Sequence, residues 1–193
     1  MKMVVSINKD MKLSEHFTLA ELCKTSYHTT DGNIPSHVAI ENLKNICENW
    51  LEDLRYSYNL LYGDSSSPES GEARRGLNGE TGVLVQTTPP AGTPPNSGGE
   101  SIPIVISSGY RSEEVNRKCG GAKGSNHLTG CAVDIRCYGP EQMIRMVGIL
   151  LDIADGTHQD FDELIQEKRG STYWIHFAVR PKDNRRKILF DCR

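Results

Sequence analysis

Residues 64–101, DSSSPESGEARRGLNGETGVLVQTTPPAGTPPNSGGES, set the tightest limit on how this chain can fold. Serine, glycine, proline and threonine dominate the stretch, and its one apolar cluster is Val83 to Val85. Such a segment cannot bury enough apolar surface to offset its ordering entropy. It is expected to be a disordered low-complexity insertion, so the core must be assembled from the residues on either side of it. The two flanks then form a single domain within the 193 residues, a length that supports a substantial core. The insertion also accounts for a hydrophobic share of only 37%.

The first flank reads as helical. In LSEHFTLAEL (13–22), Thr18 is followed three residues later by Glu21, a capping-box pattern that opens a short helix. Further on, Val38, Leu43, Ile46, Cys47, Trp50, Leu51, Leu54, Tyr58 and Leu61 recur at three- and four-residue spacing. This is one long amphipathic helix, with Gly63 as its stop.

The second flank mixes strands and helices. IPIVISSGYRS (102–112) reads as a buried strand and loop, EEVNRK (113–118) as a short helix closed by Gly120 and Gly121, and GCAVDIRCY (130–138) as a strand. PEQMIRMVGILLDIADG is a helix with Pro140 in its first turn and Gly156 after it. FDELIQEK and TYWIHFAV, joined by RGS, form an antiparallel hairpin, and RKILF adds a last short strand. The fold class expected is α+β, an antiparallel sheet with helices packed on one side.

A net charge of −3 gives no basic field for nucleic acid or an acidic membrane, so neither is expected as a partner. No apolar run approaches the length of a spanning helix, and the N-terminus MKMVVSINKDMKLSEHF makes a poor signal peptide. Synthesis in a cytoplasm follows as the expectation. The six cysteines contain no C-x-x-C pair and read as free, partly buried thiols, with Cys131 a minor alternative as a metal ligand. A monomer is expected, because no long exposed apolar stripe is evident.

Chemistry gathers in SNHLTGCAVD (125–134), where His127 and Asp134 flank Gly130 and Ala132. Imidazole and carboxylate are both good zinc ligands, and a catalytic zinc takes three protein ligands while keeping one position for water. His176 in YWIHFAV is the best third donor. Alternation along that strand puts Trp174 and His176 on one face, and Ile175 and Phe177 on the other. His16, His28, His37 and His158 lie among polar or loop residues and read as surface histidines.

SSGYRS (107–112), VNRKCGGAKGSNHLTGCAVDI (115–135) and WIHF (174–177) closely resemble the M15 zinc peptidases, subfamily A in particular. These are D-alanyl-D-alanine carboxypeptidases, dipeptidases and related phage endolysins, marked by S-x-H-x-x-G-x-A-x-D and a later histidine. Ser125, His127, Gly130, Ala132 and Asp134 match every fixed position. LSEHFTLAEL and the long helix after it also look like the phage- and bacterium-associated branch, so the resemblance spans nearly all of the chain outside 64–101. It implies a hedgehog/D-Ala-D-Ala peptidase-like fold and one Zn2+ per chain on His127, Asp134 and His176. It also implies hydrolysis of a peptidoglycan stem peptide near a D-amino acid, with the protein released to the cell wall as a phage lysin is.

By the same resemblance, Arg111 stabilises the transition state or holds a substrate oxygen. Ser125 binds substrate or orients its loop. The chain departs from the family at the general base. Members carry an acid three residues before the last zinc histidine or a histidine two before it, and here those places hold Tyr173 and Trp174. Neither accepts a proton at neutral pH. The hairpin strand offers Asp162, Glu163 and Glu167 instead; Glu167 is favoured, and alternation separates Asp162 from the other two. Should none serve, the chain would bind cell wall without cutting it.

Overall fold

The computed structural model describes residue 8, residues 10–63 and residues 101–192. Apart from Ser101, the expected insertion at 64–101 lies outside the described residues. The N-terminal flank begins with α1 (Leu19–Leu22), where the Thr18 hydroxyl accepts a hydrogen bond from the Glu21 backbone amide as the capping pattern requires. Ser36 caps α2 (His37–Ile46) in the same manner through the amide of Ala39.

The long helix expected next is interrupted. A π-helical turn, Cys47–Leu51, separates α2 from α3 (Glu52–Tyr62). The buried positions Ala39, Leu43, Cys47 and Leu51 step by four, wider than the 3.6 residues of an α-helical turn. A wider π turn absorbs the difference and keeps the stripe on one side. Val38 and Leu61, which spacing alone assigned to that stripe, correct the expectation: they are 67% and 61% exposed. Ala39 and Tyr58 take the buried positions at the two ends.

The second flank supplies β1 (Ile106–Ser108), α4 (Glu113–Lys118), a 3-10 turn (Asn126–Thr129), β2 (Ala132–Cys137), α5 (Pro140–Thr157), β3 (Glu163–Arg169), β4 (Thr172–Ala178) and β5 (Lys187–Cys192). Pro140 opens α5 as expected, but the helix runs through Gly156 and closes on His158 in the left-handed conformation, φ 56°. Gly170, at φ 59°, allows the tight turn between β3 and β4.

The architecture is α+β, with a five-stranded, mostly antiparallel sheet in the order β1-β2-β4-β3-β5. One pairing departs from the antiparallel expectation: β5 runs parallel to β3, with Glu163 beside Lys187. Chain direction explains it. The end of β4 lies beside the start of β3, so residues 179–186 only have to step over β3's first residues. A strand that then lies along β3's free edge runs in β3's direction.

Helices occupy one face of this sheet. Val133, Ile135, Leu164, Ile175 and Phe177 point into them, and Trp50 packs on Phe177 and Phe161 with ring centroids 5.0 and 6.4 Å apart. Helix α5 touches β2, β3 and β4, and α3 packs on α5. Because side chains alternate along a strand, the even-numbered residues of β2 and β4 face the other way. Asp134 lies across from His176 there. No helix among the described residues is long and apolar enough to cross a membrane.

Candidate metal centre

Three chain segments deliver three donors. His127 rides on the 3-10 turn, which Ser125 caps by accepting a hydrogen bond from the His127 amide at 3.4 Å. Gly130 ends that turn at φ 72°, and a Cβ there would lie 2.3 Å from the Ala39 carbonyl oxygen. Glycine is therefore needed twice at this position, for its dihedral and for the close approach of α2. Ala132, wholly buried across from Ala178, leaves room at the start of β2.

His127, Asp134 and His176 each offer a ligand atom, and these atoms lie within 4.8 Å of one another. His127 Nε2 is 3.2 Å from Asp134 Oδ1 and 3.2 Å from His176 Nδ1, and the latter is 3.0 Å from Asp134 Oδ1. Tetrahedral zinc with bonds of about 2.0–2.1 Å separates its ligand atoms by roughly 3.3 Å, so the triplet fits such an ion within a few tenths of an ångström. Both remaining ring nitrogens are also engaged. His127 Nδ1 lies 2.6 Å from the Gly109 carbonyl, and His176 Nε2 lies 3.6 Å from Glu163 Oε2. Outer partners of this kind orient a histidine toward a metal. The group can bind a metal ion.

Electrostatics within the triplet are strongly skewed. Burial pushes the His127 pKa down. Burial would raise Asp134, but the two imidazoles outweigh it and hold the carboxyl well below the usual range. Burial would likewise lower His176, yet Asp134 and Glu163 raise it to about 9. Glu163 is drawn down to about 2, with His176 the leading cause and Lys187 and Arg185 assisting.

Arg111 faces this group. Its Nη2 donates to Asp134 Oδ2, the oxygen turned away from the histidines, and its Nε donates to Ser108 Oγ at 2.8 Å. The Arg111 amide donates to the His127 carbonyl at 3.1 Å, which ties the arginine's loop to the 3-10 turn.

The three carboxylates considered for proton transfer part company. Asp162 is fully buried and taken up by Arg185, Arg180 and Asn126, and Arg185 above all lowers it to about 2. Glu163 and Glu167 share the site face of β3 on either side of Ile165, which pairs with His176. Glu167 pairs with Trp174 and accepts a hydrogen bond from its side chain. Burial, with Asp134 assisting, pushes the Glu167 pKa up. Sequence reasoning missed the Gly109 carbonyl and Asn126 as supports of the site. The carbonyl has no side-chain signature, whereas Asn126 stood in plain view inside the SNH triplet.

Residues 97–161 match the family model for peptidase M15. The match supports an M15 peptidase, and it covers 65 of the 193 residues. It contains Arg111, His127 and Asp134 and ends before His176, so the third candidate donor rests on strand pairing and distance. No curated protein matches the chain.

Proposed function

We propose that this chain is an M15-type, zinc-dependent peptidoglycan hydrolase of the hedgehog/D-Ala-D-Ala peptidase type, cutting a stem peptide beside a D-amino acid. The observation that carries the proposal is the convergence of His127 Nε2, Asp134 Oδ1 and His176 Nδ1, each with its outer partner in contact. When bound, zinc would polarise the scissile carbonyl and make water acidic enough to ionise near neutrality.

The chain's own residues supply the rest. Arg111 braces Asp134 and Ser108 through Nη2 and Nε, and its Nη1 remains as a donor for a substrate oxygen. Glu167 is the proton acceptor. Partial burial favours its neutral form, which suits a carboxylate that must take up a proton. Trp174, beside Glu167 on the same face, holds that carboxylate by its indole N–H and lends an apolar wall to a substrate methyl group. Ser125 orients the His127 turn.

A second reading is a wall-binding module that keeps the metal but does not cut. Tyr173 and Trp174 favour it, because they stand where an acid or histidine is expected. Incubating the protein with muropeptides ending in D-Ala-D-Ala, with and without a chelator, separates the two. Cleavage that the chelator stops, and that Glu167→Gln removes while zinc content stays at one per chain, is the expected result. Intact muropeptides beside fully loaded protein would favour the binding module, and full activity in the Glu167 variant would move the proton transfer elsewhere.

A further inference from the structure

Glu163 joins segments that are distant in sequence. Its Oε1 lies 3.0 Å from Arg185 Nη2 in an ion pair and accepts a hydrogen bond from Lys187 Nζ at 3.3 Å. Its Oε2 accepts from Asn126 Nδ2 at 3.3 Å and lies 3.6 Å from His176 Nε2, an ion-pair contact and not a closed hydrogen bond. Asn126 immediately precedes His127, and Lys187 is the first residue of β5. One carboxylate oxygen thus touches the neighbour of one donor residue and the ring of another.

A neutral imidazole carries a single N–H, so its two nitrogens cannot both be free lone pairs. For Nδ1 of His176 to face the triplet as a lone pair, the proton must sit on Nε2, and a carboxylate beside Nε2 selects that tautomer and ring orientation. The Gly109 carbonyl does the same for His127. Unlike a backbone carbonyl, however, Glu163 is held by side chains at the entry to β5, a strand that contributes none of the three donors. Both of its oxygens are occupied by donors, which leaves the proton transfer to Glu167.

We propose that Glu163 is the positioning residue for His176, setting its tautomer and its spacing from His127, and that Arg185 and Lys187, at the entry to β5, hold Glu163 in place. The proposal rests on reading the triplet as a metal site. Zinc affinity, measured on metal-free protein by competition with a chromophoric chelator, tests it without reference to turnover. Glu163→Gln is expected to weaken zinc binding by about 10–100-fold, the usual effect of losing an outer-shell partner, while Glu167→Gln leaves it unchanged. The double variant R185M/K187M removes both cations from Glu163, and a loss of roughly 3–10-fold is expected from it by the same reasoning. Because Arg185 also holds the buried Asp162, the fold of this variant is checked by circular dichroism, and K187M alone stands in for it should it not fold.

Wild-type affinity in Glu163→Gln, accompanied by lost cleavage, would overturn the proposal and assign Glu163 to the reaction itself. Unchanged affinity in the double variant, or in K187M where that stands in, would remove the two cations from it. Absence of zinc binding by the wild-type protein would instead sink the metal reading on which both rest.

Discussion

The two faces of the sheet come from the same strands and follow opposite rules. On the helix face, Val133, Ile135, Leu164, Ile175 and Phe177 are all fully buried, and they contribute area and shape. On the other face, His127 and Asp134 are nearly as buried, at 2% and 7% exposure, but each polar atom has a named partner. Burial alone therefore does not distinguish core from site. The difference lies in what a substitution leaves behind: a cavity on one face, an unpaired charge or a lost ligand on the other.

That contrast can be broken experimentally. His127→Ala should reduce muropeptide cleavage to the chelator-treated background and abolish stoichiometric zinc binding, with the circular dichroism spectrum of the fold retained. Retained zinc would mean that the donor set is drawn wrongly. Next in size, Phe177→Ala should cost about 3–5 kcal/mol in urea denaturation of metal-free protein, because its ring packs on Trp50 and Phe161. A cost below that of a surface change would show that the helix face is not the core.

Acidity sharpens the comparison further. In metal-free protein the folded-state pKa of His176, about 9, lies above its ordinary value of 6.5. The stability it contributes is complete below pH 6.5 and is lost as the pH rises through about 9. Denaturation midpoints should fall across that window, by no more than about 3 kcal/mol in total, and should fall less in His176→Gln. The Asp134 depression reflects the same contact and adds no second increment. Smallest of all, Val38→Ser and Leu61→Ser should change stability by no more than about 0.5 kcal/mol, since both side chains are largely in water. A larger loss would return them to the apolar stripe.

Much of the site was legible because its signals are local. The S-x-H-x-x-G-x-A-x-D run specifies a capped turn, a left-handed glycine and a small residue before a buried acid, each demanded within a few residues of its neighbour. Alternation in YWIHFAV likewise divided Ile175 and Phe177 from Trp174 and His176 with no knowledge of the partner strands. The Thr18 cap and the Pro140 start are of the same kind. Errors arose where phase or direction accumulates over distance. Val38 and Leu61 were misplaced because spacing cannot reveal a π turn between them, and β5's direction depends on where β4 ends.

By itself the amino-acid order determined which side chains could act as donors, where the turn before β2 must fall, and which face of β4 is apolar. These follow from backbone sterics and from two- and four-residue periodicities, which act within a single element. Only the tertiary structure decided that Glu163 meets His176 while Asp162, one residue earlier, is drawn to Arg180 and Arg185. The two carboxylates share Asn126 and Arg185, and what separates them is Arg180 beside one and the His176 ring beside the other, both brought there by segments far away in the chain. Carboxylates identical in chemistry were thus sorted by register and by neighbours, which no local pattern encodes.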